Sequence, residues 1–329
     1  MEKRKLGDLE VSALGLGCMS MSQAYGEPDR AESERALNRA LEVGYTFFDT
    51  ASMYGSDGHN ESLIGEVLSD RRNEFVLASK CGLARDSQGR RYIDGKPETI
   101  KRTCEESLKR LRTDVIDLYY LHRRDLNVPI EDSVAALAEL VGQGKVRAIG
   151  LSEVSSTTLR KAHAVHPITA LQSEYSLWTR DPEYKVLDTC EELGITFVPF
   201  SPLGRMFLTG KLTSIDQLEE NDLRRGMPRF QGENFQKNLA LLKKFANIAS
   251  NNNCTMAQLA LAWVLAQRNR TLVPIPGTKH VKYVEENAAA AELKISADDL
   301  DRAGRLINAD TVIGDRYADF KAIGIDQEE

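Results

Sequence analysis

Four side chains in the first half of the chain are of types suited to proton transfer: Asp49, Tyr54, Lys80 and His122. Asp49 ends the run FFD, and Tyr54 follows in the small-residue stretch TASMYG. Lys80 closes FVLASK, and His122 closes VIDLYYLH. Asp49, Lys80 and His122 end short apolar runs that read as buried strands, so each marks where the chain leaves a core. Together the four suit reduction of a carbonyl group. Hydride adds to the carbon, and the oxygen must receive a proton as negative charge grows on it. A phenol, with a pKa of about 10, is a sluggish donor and a poor base in the reverse direction. A nearby ammonium favours phenolate and brings that value down. Lys80 is therefore expected to tune Tyr54, while Asp49 keeps Lys80 charged. His122 is expected to donate a hydrogen bond that orients the carbonyl oxygen.

Any one of these residues has an ordinary structural explanation, since an interior Lys can simply pair with an Asp and a lone His can sit satisfied in a core. What sets them apart is the architecture that would bring them together. Residues 3–14 read as a hairpin turning at Gly7-Asp8, and Leu14–Cys18 as a first buried strand. Helical and strand patterns then alternate: helix Ala31–Val43 stopped by Gly44, strand YTFFD, helix Glu61–Leu68, strand FVLASK, helix Pro97–Leu111 and strand VIDLYYLH. Helix Ile130–Val141, strand Val146–Ser152, helix Ser155–His166 and strand Ala170–Tyr175 follow. Helix Tyr184–Leu193 and strand ITFVPF lead into a long insertion, Leu203–Gln236. Helices near Phe235–Asn247 and Met256–Ala266, strand TLVPIP and a helix from about Lys282 complete the pattern. Eight strands alternating with helices predict an α/β fold, a (β/α)8 barrel of one domain over residues 1–329 with an N-terminal β-hairpin and a long loop after strand 7. In such a barrel the strand ends meet at one face, where Asp49, Tyr54, Lys80 and His122 would converge. A doubly wound open sheet would collect polar residues at one switch point instead. GLGCMS has two glycines of a dinucleotide fingerprint but lacks the third, and reads better as a tight strand exit.

Composition narrows the class. The hydrophobic fraction of 42% supplies a sizeable core. A net charge of −6 with no basic arm gives no reason to expect nucleic acid. No apolar run approaches the ~20 residues of a membrane span, and MEKRKLGDLEV is not a secretory signal, so a cytoplasmic location is expected. Cys18, Cys81, Cys104, Cys190 and Cys254 form no C-x-x-C pair, which removes the usual zinc spacings; no metal is expected, and the thiols are expected buried and reduced.

FFDTASMYG, VLASK, DLYYLHRRD, AIGLSE, LQSEYSLW, PFSPLG and PIPGTK…EEN occur in this order, and over residues 4–290 the chain strongly resembles the aldo-keto reductase superfamily. LGCMSMSQAYG and HPITALQSEYSLWTRDPE resemble its bacterial and plant perakine reductase-like branch. The resemblance implies NADPH bound without a Rossmann domain, and Tyr54 as proton donor with Asp49, Lys80 and His122 as its partners. It implies Ser152, Glu153 and Gln172 around the nicotinamide carboxamide and Phe200 stacked on the nicotinamide ring. It implies Ser201, Leu203 and Gly204 at the pyrophosphate, with Gly277, Thr278, Lys279, Tyr283, Glu286 and Asn287 at the adenosine end. Two departures stand out. The family often has Asn where this chain has Glu153, and many relatives read SPLGRGFLTG where this chain carries Met206. If that glycine needs a positive φ, Met206 strains or bends the loop.

Lys279, His280 and Lys282 also cluster where a helix begins. Cations there oppose the helix dipole by roughly 0.3–1 kcal/mol each, and a bound anion reverses the cost. A 2′-phosphate on Lys279 or Lys282 would favour NADPH over NADH; a solvated basic turn paired with Glu285 and Glu286 is the competing reading. The insertion is expected to fold over the cofactor. It would join Met19, Met21, Tyr25 and Trp178 around a small-molecule carbonyl substrate, an apolar or aromatic aldehyde. Two other classes remain open: an aldolase forming a Schiff base on Lys80, and a cofactor-bound regulatory subunit on the same barrel.

Overall fold

The computed structural model describes residues 1–328 except 87, 221 and 268–271. β1 (Lys3–Leu6) and β2 (Leu9–Ser12) pair antiparallel, with Leu6 opposite Leu9 across the Gly7-Asp8 turn. Then come β3 (Leu16–Gly17), α1 (Arg30–Glu42), β4 (Phe47–Asp49), α2 (His59–Leu68) and β5 (Val76–Cys81). A small hairpin of β6 (Leu83–Arg85) and β7 (Arg91–Ile93) precedes α3 (Pro97–Leu111), β8 (Ile116–Leu121) and α4 (Ile130–Gly142). β9 (Val146–Ser152), α5 (Ser156–Val165), β10 (Ala170–Glu174), α6 (Val186–Leu193) and β11 (Thr196–Phe200) continue the alternation. α7 (Gly232–Asn251), α8 (Met256–Ala266), α9 (Val281–Ala290) and α10 (Ala297–Leu306) follow. Helix starts use short polar caps: Asp29 accepts the Glu32 N–H of α1, and Thr255 and Gln258 form a capping box on α8.

Seven strands pair in parallel in the order β3-β4-β5-β8-β9-β10-β11. The eighth place differs from the expected strand TLVPIP. Thr271 lies outside the described residues, and the rest makes isolated parallel bridges, Phe197 to Leu272, Phe200 to Ile275 and Gly17 to Gly277. Val273 and Ile275 donate to the Phe197 and Pro199 carbonyls, while Gly15 and Gly17 donate to the Pro274 and Pro276 carbonyls. Proline has no N–H, so Pro274 and Pro276 cannot return a bond toward β3. Among the described residues the seam therefore nearly closes a TIM barrel without a regular eighth strand. The glycines of GLGC belong to this seam. A Cβ on Gly15 would lie 2.5 Å from Phe47 Cδ1, and one on Gly17 would lie 3.0 Å from the Ile275 carbonyl oxygen.

Two cores follow from strand alternation. Phe47, Ala78, Leu118, Tyr120, Ala170, Val198, Val273 and Ile275 fill the barrel interior, and Leu6 and Val11 of the hairpin plug its bottom. Phe48, Leu77, Tyr119, Ile149 and Leu171 point outward into the layer beneath the helices. A large side chain fully buried in this way contributes roughly 1.5–3 kcal/mol. No helix among the described residues is long and apolar enough to cross a membrane.

Candidate active site

The same alternation that turns Phe47, Ala78 and Tyr120 inward turns Asp49, Lys80 and His122 inward two residues later, at the top of the barrel. Ser152 at the end of β9 and Gln172 in β10 stand beside each other in register. Tyr54 arrives from the loop after β4, which Asn60 pins from the start of α2. Asn60 N–H donates to the Tyr54 carbonyl at 3.2 Å, its amide donates to the Cys18 carbonyl at 2.9 Å, and it accepts from Thr50 Oγ1 at 2.6 Å. Met19 and Leu83 pack against Ala51, Met53 and Tyr54 to complete the loop's apolar footing.

Lys80 is fully buried, and three acceptors surround its ammonium. It donates to Asp49 Oδ1, to the Thr50 carbonyl at 2.8 Å and to the Tyr54 hydroxyl at 3.4 Å. Gln172 donates to the other oxygen of Asp49 at 2.7 Å. Burial alone would discharge Lys80, but Asp49 and Tyr54 more than offset it and hold its pKa above the ordinary value. Burial pushes Asp49 up, opposed by Lys80 and Gln172. For Tyr54 the outcome differs from the expectation of a depressed phenol. Burial raises its pKa, Lys80 opposes this, and the sum stays above the ordinary value. Desolvation of a phenolate at the barrel top outweighs one ammonium already shared with Asp49. Burial, then Arg123, Lys80 and Arg91, hold His122 well below the ordinary imidazole value, so its ring is neutral at neutral pH. The Tyr54 and His122 rings meet edge to face, with centroids 5.7 Å apart.

Above these residues opens a cavity of about 660 Å³. Asp49, Tyr54, His122, Ser152, Gln172, Phe200, Ser201 and Leu203 line it at the barrel end, and Gly277, Thr278, Lys279, Tyr283, Glu286 and Asn287 line its far end. Lys80 is buried behind this wall; Glu153, Gly204 and the exposed Lys282 also lie outside the lining. Glu153 has a left-handed backbone (φ 52°), and its carboxylate accepts from Arg316 at 2.9 Å and from the Glu174 N–H at 2.8 Å. It is therefore turned into an ion-pair network and away from the cavity. Met21 and Trp178 also lie outside the lining, with Trp178 stacked on Phe207 at 4.0 Å, while Met19 and Tyr25 do line it.

The segment after β11 winds through 3-10 turns at Phe207–Thr209, Ile215–Gln217, Leu223–Gly226 and Pro228–Phe230, and α7 begins at Gly232, earlier than expected. Ser201, Gly204, Arg205 and Met206 all take positive φ (49°, 56°, 54° and 77°), so Met206 occupies a glycine-like conformation. Among the described residues, the backbone N–H groups of Leu203, Arg205 and Met206 carry no hydrogen bond, although all three residues line the cavity. Unpaired amides in a left-handed turn form a concavity suited to phosphate. The start of α9 is less open than expected, because Glu32 accepts the Val281 N–H at 3.0 Å and already supplies an anion. Lys279 donates to the Tyr25 carbonyl at 3.4 Å and to the Glu27 carbonyl.

Several residues escaped the sequence reading. Lys211 stands over the Tyr283 ring at 4.0 Å and 3.8 Å from Glu286, adding a cation at the far end. Arg205 donates to Glu174 at 2.7 Å and to the Tyr317 hydroxyl, while Arg316 lies 3.4 Å from Glu174, clasping the C-terminal segment to the long loop. Burial opposes ionisation of Glu174, but Arg205, Arg316 and Arg229 reverse this and lower its pKa to about 2. Tyr317 and Ile323 of that segment line the cavity. No periodic pattern announces such a tail, and only its arginine and tyrosine hint at a role.

Comparison with known proteins agrees with this arrangement. The model of the Aldo/keto reductase family matches residues 13–308. A probable aldo-keto reductase of Glycine max is 44% identical over 317 residues, covering 95% of this chain and 91% of the relative. An aldo-keto reductase of Schizosaccharomyces pombe, with NADP(+) in its name, is 44% identical over 320 residues, covering 95% and 94%. The solved glycerol dehydrogenase of Gluconobacter oxydans superposes with a TM-score of 0.85 at 28% identity, covering 97% of this chain and 98% of that one. By motif order, barrel and relatives alike, the chain belongs to the aldo/keto reductase family.

Proposed function

We propose that this protein reduces aldehydes or ketones to alcohols with NADPH, Tyr54 giving the proton. The observation that carries the reading is the line Asp49–Lys80–Tyr54 opening, beside a neutral His122, into a cavity that continues to unpaired loop amides and Lys279. NADPH supplies the hydride when bound. Phe200 offers a ring to the nicotinamide, Ser152 and Gln172 offer polar groups to its carboxamide, and Ser201 and Leu203 begin the phosphate-suited turn. Lys279, Tyr283, Glu286 and Asn287 would hold the adenosine end. Lys211 joins Lys279 as a candidate for the 2′-phosphate, and Lys282, exposed and outside the lining, does not.

Tyr54 and His122 would both face the carbonyl oxygen. The neutral imidazole donates one N–H and orients it, without competing as an acid. As charge grows on that oxygen it becomes alkoxide-like, a far stronger base than phenolate, so transfer from Tyr54 is downhill although burial keeps the phenol protonated. Lys80 stabilises the phenolate left behind, and Asp49 fixes Lys80 in place. A Schiff base on Lys80 is disfavoured, because its ammonium is held charged and all three of its donors are engaged behind the cavity wall. Incubation with NADPH and a panel of aldehydes and ketones tests the proposal. Carbonyl-dependent oxidation of NADPH with release of alcohol is expected, and its absence across the panel would overturn the reading.

A further inference from the structure

The charges lining the cavity are unevenly answered. Arg205 pairs with Glu174, Arg224 with Asp222, Lys211 with Glu286, and Asp49 with Lys80. Two lining arginines have no carboxylate partner among the described residues, Arg91 and Arg123: Arg123 directly follows His122, and Arg91 stands on the hairpin whose Leu83 packs against the Ala51–Met53–Tyr54 cluster. Arg123 is fixed in place. It donates to the His122 carbonyl at 2.6 Å, to Ser152 Oγ at 3.1 Å and to the Ile323 carbonyl at 3.2 Å, which leaves its Nη2 without a hydrogen bond among the described residues. Arg91 comes from β7, on the small hairpin whose Leu83 also lines the cavity. Its guanidinium makes no hydrogen bond or ion pair among the described residues.

Arg91 is exposed as a residue, yet it lines the cavity from its hairpin, where burial and then Arg85 and Arg123 pull its pKa down. Both arginines also help depress His122. A pair of unanswered cations beside the proton donor is unfavourable in the free protein, and an anion between them would remove that repulsion. The cofactor's own phosphates do not meet this need, since the groups suited to them lie at the loop amides and at Lys279.

We propose that the carbonyl substrate carries an anionic group, a carboxylate or a phosphate, which Arg91 and the free edge of Arg123 bind at the mouth above Tyr54. This rests on the reductase reading and sharpens the sequence-based expectation of an apolar aldehyde. The site selects a carbonyl compound with a charged tail, and Leu83, Met19 and Met53 face the uncharged part between. Arg91 is then a specificity residue, and the hydrogen bonds of Arg123 keep it oriented.

Matched substrates test this: para-formylbenzoate against neutral para-formylbenzamide, and glyceraldehyde 3-phosphate against glyceraldehyde. At low salt, the parent enzyme is expected to show kcat/KM about tenfold to hundredfold higher for one anionic member than for its neutral match. Whichever pair shows the preference identifies the anion. Arg91→Met should bring that ratio close to one, Arg91→Lys should keep part of it, and added salt should shrink it. Arg85→Met, on the opposite strand and outside the cavity, should change the ratio by less than about threefold. A ratio near one for both pairs in the parent overturns the inference, as does a preference that survives in Arg91→Met. If the parent turns over none of the four compounds, the wider panel of aldehydes and ketones decides the reductase reading separately. Calorimetric binding then decides the inference: tighter binding of the anionic member that is lost in Arg91→Met supports it, and equal binding overturns it.

Discussion

At the Tyr54 end of the cavity, Asp49, Lys80 and Gln172 stand on strands whose register is fixed by pairing on both sides, His122 directly follows β8, and the Lys80 and Asp49 charges are answered within the barrel. At the far end, the corresponding groups stand on the left-handed turn at Ser201–Met206 and on the start of α9, and several of their donors are open. In the first region the Asp49–Lys80–Gln172 scaffold is closed and preorganised; in the second the loop amides stand open, as the proposed binding of an anionic cofactor requires. Preorganised charge is what a transition state rewards, whereas unpaired amides and half-exposed lysines are what a cofactor that binds and leaves can use. Substitution of Lys80 should therefore harm fold and chemistry together, and substitution of the far-end lysines should alter cofactor affinity alone.

The largest effect should come from Lys80→Met. Removing one partner of a buried ion pair costs roughly 3–5 kcal/mol, lessened here because burial raises the Asp49 pKa and eases uptake of a proton once Lys80 is gone. Activity should also fall by about two decades or more, since the phenolate loses its cation. The pH profile has a definite sign. Lys80 lowers the Tyr54 pKa, so without it that pKa rises, and the alkaline rise of alcohol oxidation, which needs phenolate, should move to higher pH. An unmoved profile with normal stability would break the contrast between the two ends. At the far end, replacing Lys279 and Lys211 together by Ala should weaken NADPH binding by about tenfold and leave NADH nearly unchanged, whereas Lys282→Ala should change either by less than about twofold. Titration of protein fluorescence with both cofactors separates these cases. Parallel losses for the two cofactors would mean the lysines only shape the loop. The smallest effect is expected at Met206. A non-glycine residue at φ 77° is strained by about 1 kcal/mol or more, so Met206→Gly should raise unfolding stability by about 1 kcal/mol. Unchanged or lower stability in denaturant titration would show that the turn stores no strain there.

How much was legible follows the same division. Period-two patterning in short apolar runs placed Asp49, Lys80 and His122 on one face, because a strand end dictates direction as well as position. Expected bounds for α3 and β9 coincide with the structure, where Pro97 and a polar turn punctuate the chain. The TLVPIP segment misled because its hydrophobicity is that of a strand while its prolines remove the donors of one. Tyr54 was expected to be acidified, and the sum over burial could only be taken with its surroundings in place. Glu153 was assigned by its matching position and Lys282 by its place at a helix start; their side-chain directions depend on Arg316 and on the facing of α9, which no local pattern encodes. Nor does any local signal tell that the C-terminal segment returns to the barrel mouth, since contacts such as Arg123 to the Ile323 carbonyl span two hundred residues.

The central claim is that Tyr54 gives the proton from a scaffold that does not need its hydroxyl to bind cofactor. Tyr54→Phe isolates that hydroxyl, keeping the ring against His122 and the Lys80–Asp49 pair intact. Single-turnover reduction of a good aldehyde, measured beside NADPH affinity in the same variant, is the direct test. The account predicts a rate lower by about two to four decades with NADPH affinity within a few-fold of the parent. A rate within a few-fold of the parent would contradict it, and the proton would have to come from another group at the barrel mouth.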